Sequence, residues 1–363
     1  MTESGKKRVF IVAEAGVNHN GSLDQALALV DVAAEAGADA VKFQTFKAEE
    51  VISRNAAKAE YQLMTTNENE SQLDMAKKLE LDLSAHKQII RHCEMRKIQF
   101  LSTPFDLPSV DMLVKDLKVV WIKVPSGEIT NGPLLLRVAQ SGLPVILSSG
   151  MSTLGDIEDA LAVLAFGYLQ SSEVPTLSGF KQAYLSAEGQ QQLQQKVTLL
   201  HCTTEYPTPF YDVNLRAMDT MASAFGLPVG LSDHTMGYSV AIAAAALGAV
   251  VIEKHFTLDR DLPGPDHKAS LEPDELTAMV KSIRDVEVAL GSPRKLVAAS
   301  ESRNQDIARK SLVALQAILE GETFTSKNLA SKRPGTGISP MHYWEYLGKT
   351  ATRDYGADEV IIP

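Results

Sequence analysis

The fold class follows from residues 9–37, VFIVAEAGVNHNGSLDQALALVDVAAEAG, in which an apolar strand, a polar tip and an amphipathic helix follow one another. The apolar run at the start predicts the strand, and Glu14 is the polar residue at its end. Ser22 then opens a helix with Gln25 three residues later, which is the spacing of a capping box. Gly37 ends the helix, because glycine readily adopts the left-handed conformation that terminates helices.

The same unit recurs along the chain, and each repeat predicts one strand followed by one helix. The strands are predicted at residues 9–13, 40–44, 98–102, 119–124, 144–147, 197–200, 227–231 and 249–252. Their runs are almost continuously apolar, as expected for parallel strands that are buried on both faces. Eight such units predict an α/β fold of the (β/α)8 TIM-barrel type. A doubly wound open sheet is the alternative, but residues 14–21 lack the GxGxxG pattern that follows its first strand.

The bulk composition argues against several classes of protein. The chain has 363 residues and a formal net charge of −10, and without a basic run it is a poor candidate for nucleic acid binding. No apolar run approaches the ~18 residues that a membrane span needs. Two cysteines, Cys93 and Cys202, give neither a disulfide framework nor a zinc spacing, which predicts a reducing, cytoplasmic location.

Three segments are predicted: a catalytic barrel at residues 1–290, a linker at 291–308 and a small domain at 309–363. Two insertions interrupt the barrel. Residues 45–83 follow the second strand, so they are predicted to lie on the catalytic face and to cover a substrate. Residues 167–196 precede a strand and therefore predict a solvated elaboration at the opposite face.

Polar side chains stand at the carboxyl ends of most strands, and in a closed barrel these ends converge on one mouth. His234 and His255 end the seventh and eighth strands, which as neighbours lie about 5 Å apart. Two imidazoles at that distance can share one divalent transition-metal ion and leave positions open for water and substrate. The alternative is that each ring simply hydrogen-bonds a loop carbonyl.

Two lysines, Lys42 and Lys123, are predicted to point into the mouth from strands two and four. A lysine there can be a Schiff-base nucleophile, an anion clamp, or half of an ion pair with Glu14 or Glu128. An anion clamp is favoured because nearby hydroxyl and backbone N–H groups would supply further donors. These neighbours are Thr103, Ser126, Ser148, Gly150 and Ser232.

Glu14 and Glu128 are the carboxylates predicted to face the mouth, where each could orient a polyol, relay protons or activate water. Buried carboxylates are rare unless they are paired, which makes a packing role a weak alternative. Gln44, Tyr206 and Asp266 carry hydrogen-bonding groups suited to a sugar.

Several motifs, in order along the chain, closely resemble the sialic acid synthase family. They are residues 10–21 (FIVAEAGVNHNG), 41–46 (VKFQTF), 102–105 (STPF), 125–128 (PSGE), 232–234 (SDH) and 264–267 (GPDH). Residues 332–340, KRPGTGISP, resemble that family's C-terminal antifreeze-like (SAF) domain. The resemblance covers essentially the whole chain and is closest to bacterial N-acetylneuraminate synthases, then to legionaminate synthases.

The resemblance implies roles for individual residues. His234 and His255 match the family's ligands of a divalent metal, often manganese, with magnesium or cobalt as alternatives. The positions that match the phosphoenolpyruvate site are Lys42, Thr103, Lys123, Ser126, Ser148, Gly150 and Ser232. The positions that match the amino-sugar site are Glu14, Gln44, Tyr206 and Asp266.

Two further positions bear on the resemblance. Arg333 matches an arginine that reaches the neighbouring subunit's mouth and contacts the N-acetyl group, which implies a domain-swapped homodimer. Thr204 departs from the pattern, since some members carry an asparagine there that contacts phosphoenolpyruvate.

The implied function is that of an N-acetylneuraminate synthase, which condenses phosphoenolpyruvate with N-acetylmannosamine and water and releases phosphate. In that mechanism Glu128 serves the water or proton transfers and Glu14 positions the sugar. One alternative is a legionaminate synthase that uses 2,4-diacetamido-2,4,6-trideoxymannose. Two others come from different classes: a Schiff-base aldolase using Lys42, Lys123 or Lys254, and a non-catalytic sugar- or ice-binding protein built around the tail.

Overall fold

A computed structural model describes residues 8–58, 70–170 and 173–363. The chain divides after Gly291 into two compact units. The first holds the barrel and the second holds the C-terminal segment, and each is described by itself.

Eight parallel strands form the centre of the first unit. Their order in the sheet is β3-β2-β1-β8-β7-β6-β5-β4, and β3 also lies beside β4, so the ring is nearly closed. This arrangement confirms the predicted barrel. The strands are β1 (Phe10–Gly16), β2 (Ala40–Thr45), β3 (Gln99–Pro104), β4 (Ile122–Val124), β5 (Val145–Ser148), β6 (Val197–Cys202), β7 (Val229–Asp233) and β8 (Val251–His255).

Helices surround the strands, and their starts follow the local capping signals. Ser22 Oγ accepts a hydrogen bond from the Gln25 N–H at 3.3 Å, so the first helix begins where predicted, although the Gln25 side-chain oxygen makes no bond to complete a capping box. Within the described ranges no helix combines the length and hydropathy needed to cross a membrane. The α-helices of this unit are Leu23–Glu35, Ala48–Val51, Gln72–Lys77, Leu83–Arg96, Leu107–Asp111, Gly132–Gln140, Leu154–Tyr168, Leu177–Leu185, Ala187–Lys196, Ala217–Phe225, Ser239–Ala246 and Pro273–Leu290.

Two apolar layers hold the barrel together. The larger lies between the strands and the helices. The smaller fills the inside of the ring towards the amino ends of the strands, and it closes that end of the barrel. The inner layer consists of Val12, Ala40, Leu101, Ile146, Leu200 and Val251.

Several strand boundaries differ from the predicted ones. β1 and β8 continue through Glu14 and His255, because backbone hydrogen bonds to neighbouring strands persist after the side chains become polar. β4 begins at Ile122 rather than at residue 119, since Lys118 adopts a left-handed conformation with φ of 53° in the preceding turn. Apolar character alone therefore misplaces strand boundaries at both ends of the barrel.

The two insertions take different forms. In residues 45–83, of which 59–69 lie outside the described part, two short helices flank the mouth as predicted. In residues 167–196, of which 171–172 lie outside it, two helices pack Ala183 and Leu193 against the unit while most other side chains stay exposed. The second insertion is thus more ordered than a simple surface connection.

The second unit has its own small core. Strands β9 (Ser311–Ala314) and β10 (Leu329–Lys332) pair antiparallel, and short helices cover Ala299–Ala308 and Tyr343–Tyr346. The first of these helices occupies most of the segment predicted as a linker. The core consists of Leu312, Ala314, Ile318, Phe324, Leu329, Ile338, Ala351, Tyr355 and Ile361.

Buried polar side chains connect the loop after β1 to the loop after β8. Asn18 Nδ2 donates to the Phe256 carbonyl at 2.8 Å and to Ser270 Oγ at 3.0 Å. The neighbouring His19 is fully buried, and its Nδ1 accepts from the Gly21 N–H at 3.0 Å. These contacts fix one side of the mouth.

Acid should weaken the fold through His19. Burial, helped by His86 and His267, lowers the pKa of His19 to about 4, whereas an exposed imidazole titrates near 6.5. Only the unfolded chain binds this proton between those values, so stability is complete above pH 6.5 and is lost as the pH falls towards 4. Between pH 7 and pH 5 we expect His19 to contribute a loss of about 2 kcal/mol, measured by urea unfolding.

The matched variant is His19→Asn, whose side-chain oxygen can still accept from the Gly21 N–H. It should lose less stability than the wild type over the same pH interval. An equal acid loss in both proteins would contradict this assignment.

Candidate active site

A cavity of about 340 Å³ opens at the carboxyl ends of the strands. Every one of the eight strands contributes a polar or thiol side chain to its wall. Residues two apart on a strand face the same side, which explains why two strands contribute twice. The strand-borne residues are Glu14, Lys42, Gln44, Thr103, Lys123, Ser148, Cys202, Ser232, Glu253 and His255.

Two lysines and two carboxylates form the floor of the cavity. Lys42 pairs with Glu14, and its Nζ also lies 3.1 Å from Thr103 Oγ1 and 3.6 Å from Glu253 Oε2. Lys123 Nζ lies 3.2 Å from Glu253 Oε1. The ion pair that the sequence left open is therefore present for Glu14, while the second partner is Glu253 and not Glu128.

The charges of this group are fixed by their neighbours. Burial opposes the ammonium form of Lys42, but Glu14 and Glu253 outweigh it and raise the pKa of Lys42. Burial likewise opposes the carboxylate form of Glu14, yet His255, Lys42 and Lys123 hold the pKa of Glu14 below its usual range. A lysine held protonated is a poor Schiff-base nucleophile and a good anion ligand.

Hydroxyl and backbone N–H groups stand around the lysines. The Gly150 N–H donates to Ser126 Oγ at 2.9 Å, and Ser232 Oγ donates to Glu253 Oε1 at 2.8 Å. Ser148 Oγ and Thr204 Oγ1 are buried and have no hydrogen-bond partner among the described residues. Unpartnered buried hydroxyls next to cations are suited to a phosphate or carboxylate ligand.

The structure brings His234 and His255 together at the mouth. Their ring centres lie 5.7 Å apart, and the Tyr206 ring lies 4.2 Å from that of His234. His234 Nδ1 donates to the Thr203 carbonyl at 2.7 Å, which makes Nε2 the acceptor nitrogen, 3.3 Å from Ser232 Oγ. The ring thus makes the hydrogen bond to a loop carbonyl that the sequence left open. Such a bond is compatible with metal binding, since it would orient the other nitrogen towards an ion.

The chemistry of His255 fits a ligand of a divalent ion. Burial lowers the pKa of His255 to about 4, so its ring is neutral at pH 7, as a metal ligand must be. His255 Nδ1 is buried without a hydrogen-bond partner in the described part of the chain. Over the same residues no group of three or more His, Cys, Asp or Glu side chains converges. An ion here would have two protein ligands and open positions.

The outer half of the cavity differs in character. Gln44, Tyr206 and Asp266, the residues predicted to contact a sugar, line the cavity and supply hydrogen-bonding groups. Burial raises the pKa of Asp266 to about 7, with Glu14 adding to the effect. The facing wall is apolar and comes largely from the 45–83 insertion; it consists of Phe46, Val51, Ile52, Met75, Ala76, Leu79 and Phe105.

Two candidate residues of the first unit do not line this cavity, and a third belongs to the second unit. Glu128, expected to face the mouth, lies in the turn Ser126–Glu128, and its carboxylate accepts from Asn131 Nδ2 at 2.6 Å. Lys254 points outward from β8 and binds Asp233 Oδ2 at 2.9 Å, so it is not a nucleophile in the cavity. Arg333 belongs to the second unit, where its Nε donates to the Ala308 carbonyl at 3.0 Å.

Comparison with known proteins identifies the family. The NeuB family model matches residues 29–295, and the SAF domain model matches residues 309–363. The chain belongs to the NeuB family. It is an enzyme of the sialic acid synthase type, as the motifs predicted.

Relatives of this NeuB-family chain extend over nearly its whole length. The N,N'-diacetyllegionaminic acid synthase of Campylobacter jejuni is 52% identical, covering 98% of this chain and 99% of the relative. The synthase of the same name from Legionella pneumophila is 41% identical over 97% of this chain and 93% of the relative. The solved N-acetylneuraminic acid synthetase of Leptospira borgpetersenii has a TM-score of 0.67 and 34% identity, covering 82% of this chain and 90% of that one.

Glu253 and Cys202 are cavity residues that the sequence interpretation missed. Glu253 precedes His255 by two positions, so strand alternation places both on the same face. Cys202 stands in the same relation to Leu200, a residue of the inner apolar layer. The alternation of side chains along β6 and β8 identifies both residues, provided that each strand is extended to its polar end.

Gly150 should be essential to this NeuB-family site because a side chain there has no room. An added Cβ would overlap Thr204 Oγ1 and lie 2.8 Å from Ser126 Oγ. Gly150→Ala should therefore displace both hydroxyls and lower kcat/KM by about 100-fold, as misplacements of about 1 Å do. Steady-state kinetics and thermal melting of the variant would measure this.

The double variant Gly150→Ala/Thr204→Ala removes the main overlap and should recover part of the loss. Gly132→Ala is the matched control, since its added methyl meets no atom within 4 Å. Equal activity of Gly150→Ala and Gly132→Ala would refute the steric argument.

Proposed function

We propose that this chain is an N,N'-diacetyllegionaminic acid synthase. It would condense phosphoenolpyruvate with 2,4-diacetamido-2,4,6-trideoxymannose and water and release phosphate. The observation that carries the proposal is the 52% identity to the Campylobacter jejuni enzyme over 98% of this chain. The sialic acid synthetase of known structure shares 34%. These relatives favour the legionaminate alternative over the N-acetylneuraminate synthase that the motifs first suggested.

The apolar wall of the cavity supports the same choice of sugar. A 6-deoxy sugar with two acetamido groups carries three methyl groups, whereas N-acetylmannosamine carries one and ends in a hydroxymethyl group. Burying each extra apolar carbon is worth about 0.8 kcal/mol. Phe46, Ile52, Met75 and Leu79 offer such surface in the wall of the cavity. A terminal hydroxyl against these side chains would lose its hydrogen bonds to water.

The lysine end of the cavity suits phosphoenolpyruvate. This substrate carries a phosphate and a carboxylate. Lys42 and Lys123 supply two buried cations, and both contact Glu253. Ser126, Ser148 and the Gly150 N–H add neutral donors. Binding there would orient the enol carbon towards Tyr206 and the histidines.

The reaction joins C3 of phosphoenolpyruvate to the aldehyde carbon of the open-chain sugar. The resulting oxocarbenium ion at C2 takes up water, and the tetrahedral intermediate expels phosphate by C–O cleavage. A divalent ion bound by His234 and His255 would supply a Lewis acid for the aldehyde oxygen. The protein's own groups hold the two carbons together and exclude bulk water, which lowers the barrier through proximity.

Proton transfer falls to Asp266. The aldehyde oxygen must gain a proton and the attacking water must lose one. Asp266, whose pKa is about 7, can give its proton to the aldehyde oxygen and, as the carboxylate, take up the proton that the water loses. Glu14 remains ionised and orients the sugar by accepting hydrogen bonds. Asp266 thus takes the role assigned from the sequence to Glu128, whose carboxylate is bound by Asn131.

Substrate competition tests the proposal. Phosphate release from phosphoenolpyruvate should be at least about 10-fold faster, as kcat/KM, with 2,4-diacetamido-2,4,6-trideoxymannose than with N-acetylmannosamine. Mass spectrometry should identify the nine-carbon product. A preference for N-acetylmannosamine would restore the sequence interpretation, and phosphate release with neither sugar would refute both.

Metal removal tests the histidine pair. EDTA should abolish turnover and Mn²⁺ should restore it, while His234→Ala and His255→Ala should lose both Mn²⁺ binding and activity. The control is borohydride treatment in the presence of pyruvate, which should trap nothing because Lys42 is held protonated. A covalent pyruvyl adduct together with EDTA-resistant turnover would indicate the aldolase instead.

Three expectations stay predictions beside this function: the preferred ion, the cytoplasmic location and the domain-swapped homodimer. The dimer rests on Arg333, which the resemblance assigns to the N-acetyl group of a sugar bound in the neighbouring subunit. Two acetamido groups on the proposed sugar would give such an arginine a second possible partner.

A further inference from the structure

The backbone ladder between β7 and β8 ends just before the two histidines. The last register pair is Asp233 with Lys254, and His234 follows the end of its strand. His255 is still paired, because Glu14 on β1 is its register partner. The position of His234 relative to His255 therefore depends on contacts other than the ladder.

A buried side-chain network takes the place of the missing ladder. Lys254 Nζ donates to Asp233 Oδ2 at 2.9 Å and to the Thr235 carbonyl at 2.5 Å. Asp233 Oδ1 accepts from the Thr235 N–H at 2.9 Å and from Thr235 Oγ1 at 2.8 Å. One lysine, adjacent to His255 in the chain, thus binds both residues that flank His234.

We infer that Asp233, Lys254 and Thr235 are positioning residues that fix His234 at the distance from His255 that a shared ion requires. The inference rests on the proposed metal-dependent function. Lys254 and Asp233 face away from the cavity, and their side chains are 0% and 1% exposed. They touch neither substrate nor ion and act through the histidines that follow them.

Two hydrogen bonds tie His234 itself to the loop after β6. Its carbonyl accepts from the Thr208 N–H at 2.9 Å, and its ring donates to the Thr203 carbonyl. Two contacts connect this segment to β8, which carries the other histidine. Ser232 Oγ lies 3.3 Å from His234 Nε2 and 2.8 Å from Glu253 Oε1, and Lys254 binds both residues that flank His234.

The test titrates the full-length protein with Mn²⁺ alone and follows free Mn²⁺ by electron paramagnetic resonance. Lys254→Met removes both lysine bonds but leaves the Asp233 carboxylate buried without its cation, so it should lower both the melting temperature and the Mn²⁺ affinity. Asp233→Asn/Lys254→Met removes the uncompensated charge and keeps an acceptor for Thr235. It should recover stability, yet remain about 10- to 100-fold weaker for Mn²⁺, the usual effect of losing an outer-shell partner.

Arg284→Met is the matched control. Arg284 makes an ion pair with Asp39 at 2.6 Å near the opposite end of the barrel, so this variant should lose stability and bind Mn²⁺ as the wild type does. In the double variant the KM for phosphoenolpyruvate should stay within about two-fold while kcat falls, because the lysine end of the cavity is unchanged.

The inference is overturned if the double variant binds Mn²⁺ like the wild type, if Arg284→Met loses as much affinity, or if the wild type binds no Mn²⁺. Failure of the proposed function is distinguishable from these results. A wild type that binds Mn²⁺ but forms no sugar acid would refute the function, and the titration would still decide the role of the network.

Discussion

Neutralising two buried lysines is the constraint on which the rest of the site depends. Lys42 and Lys123 are 1% and 3% exposed, and an unpaired ammonium at such depth would be too costly to keep charged. Glu253 contacts both lysines, and Glu14 pairs with Lys42 from the neighbouring strand. Two positive and two negative groups thus balance, which keeps the cations in place until a phosphate or carboxylate competes for them. The same Glu14 lies 3.3 Å from His255 Nε2, so the anion site and the histidine pair share one carboxylate.

The barrel makes this balance possible because it brings distant parts of the chain to one place. The four charged groups come from β1, β2, β4 and β8, and side-chain alternation turns each of them inward. Below them the ring interior changes to aliphatic residues, which excludes water from the charges and strengthens their attraction. The wall opposite is set independently by the insertion after β2. Anion binding and sugar preference can therefore vary separately within one fold.

The fold could be predicted from the sequence because apolar runs, helix caps and glycine stops are local signals. The candidate site could be predicted for side chains at strand ends, as His234 and His255 illustrate. Glu253 was missed because a strand judged by apolar character stops at Ile252, and the alternation that pairs Glu253 with His255 was not extended. Glu128 was expected beside them, but in the helical turn after β4 its carboxylate binds Asn131, while its neighbours Ser126 and Gly127 line the cavity. The placement of each glutamate depends on the direction of the backbone at that residue. It could not be predicted from how often glutamate is buried.

The apolar plug formed by Val12, Leu101, Leu200 and their neighbours has a kinetic consequence. With that end of the barrel filled, ligands reach the two buried lysines from the carboxyl ends of the strands. For the proposed activity we therefore expect ordered binding, in which the enol phosphate enters before the sugar and inorganic phosphate leaves after the sugar acid.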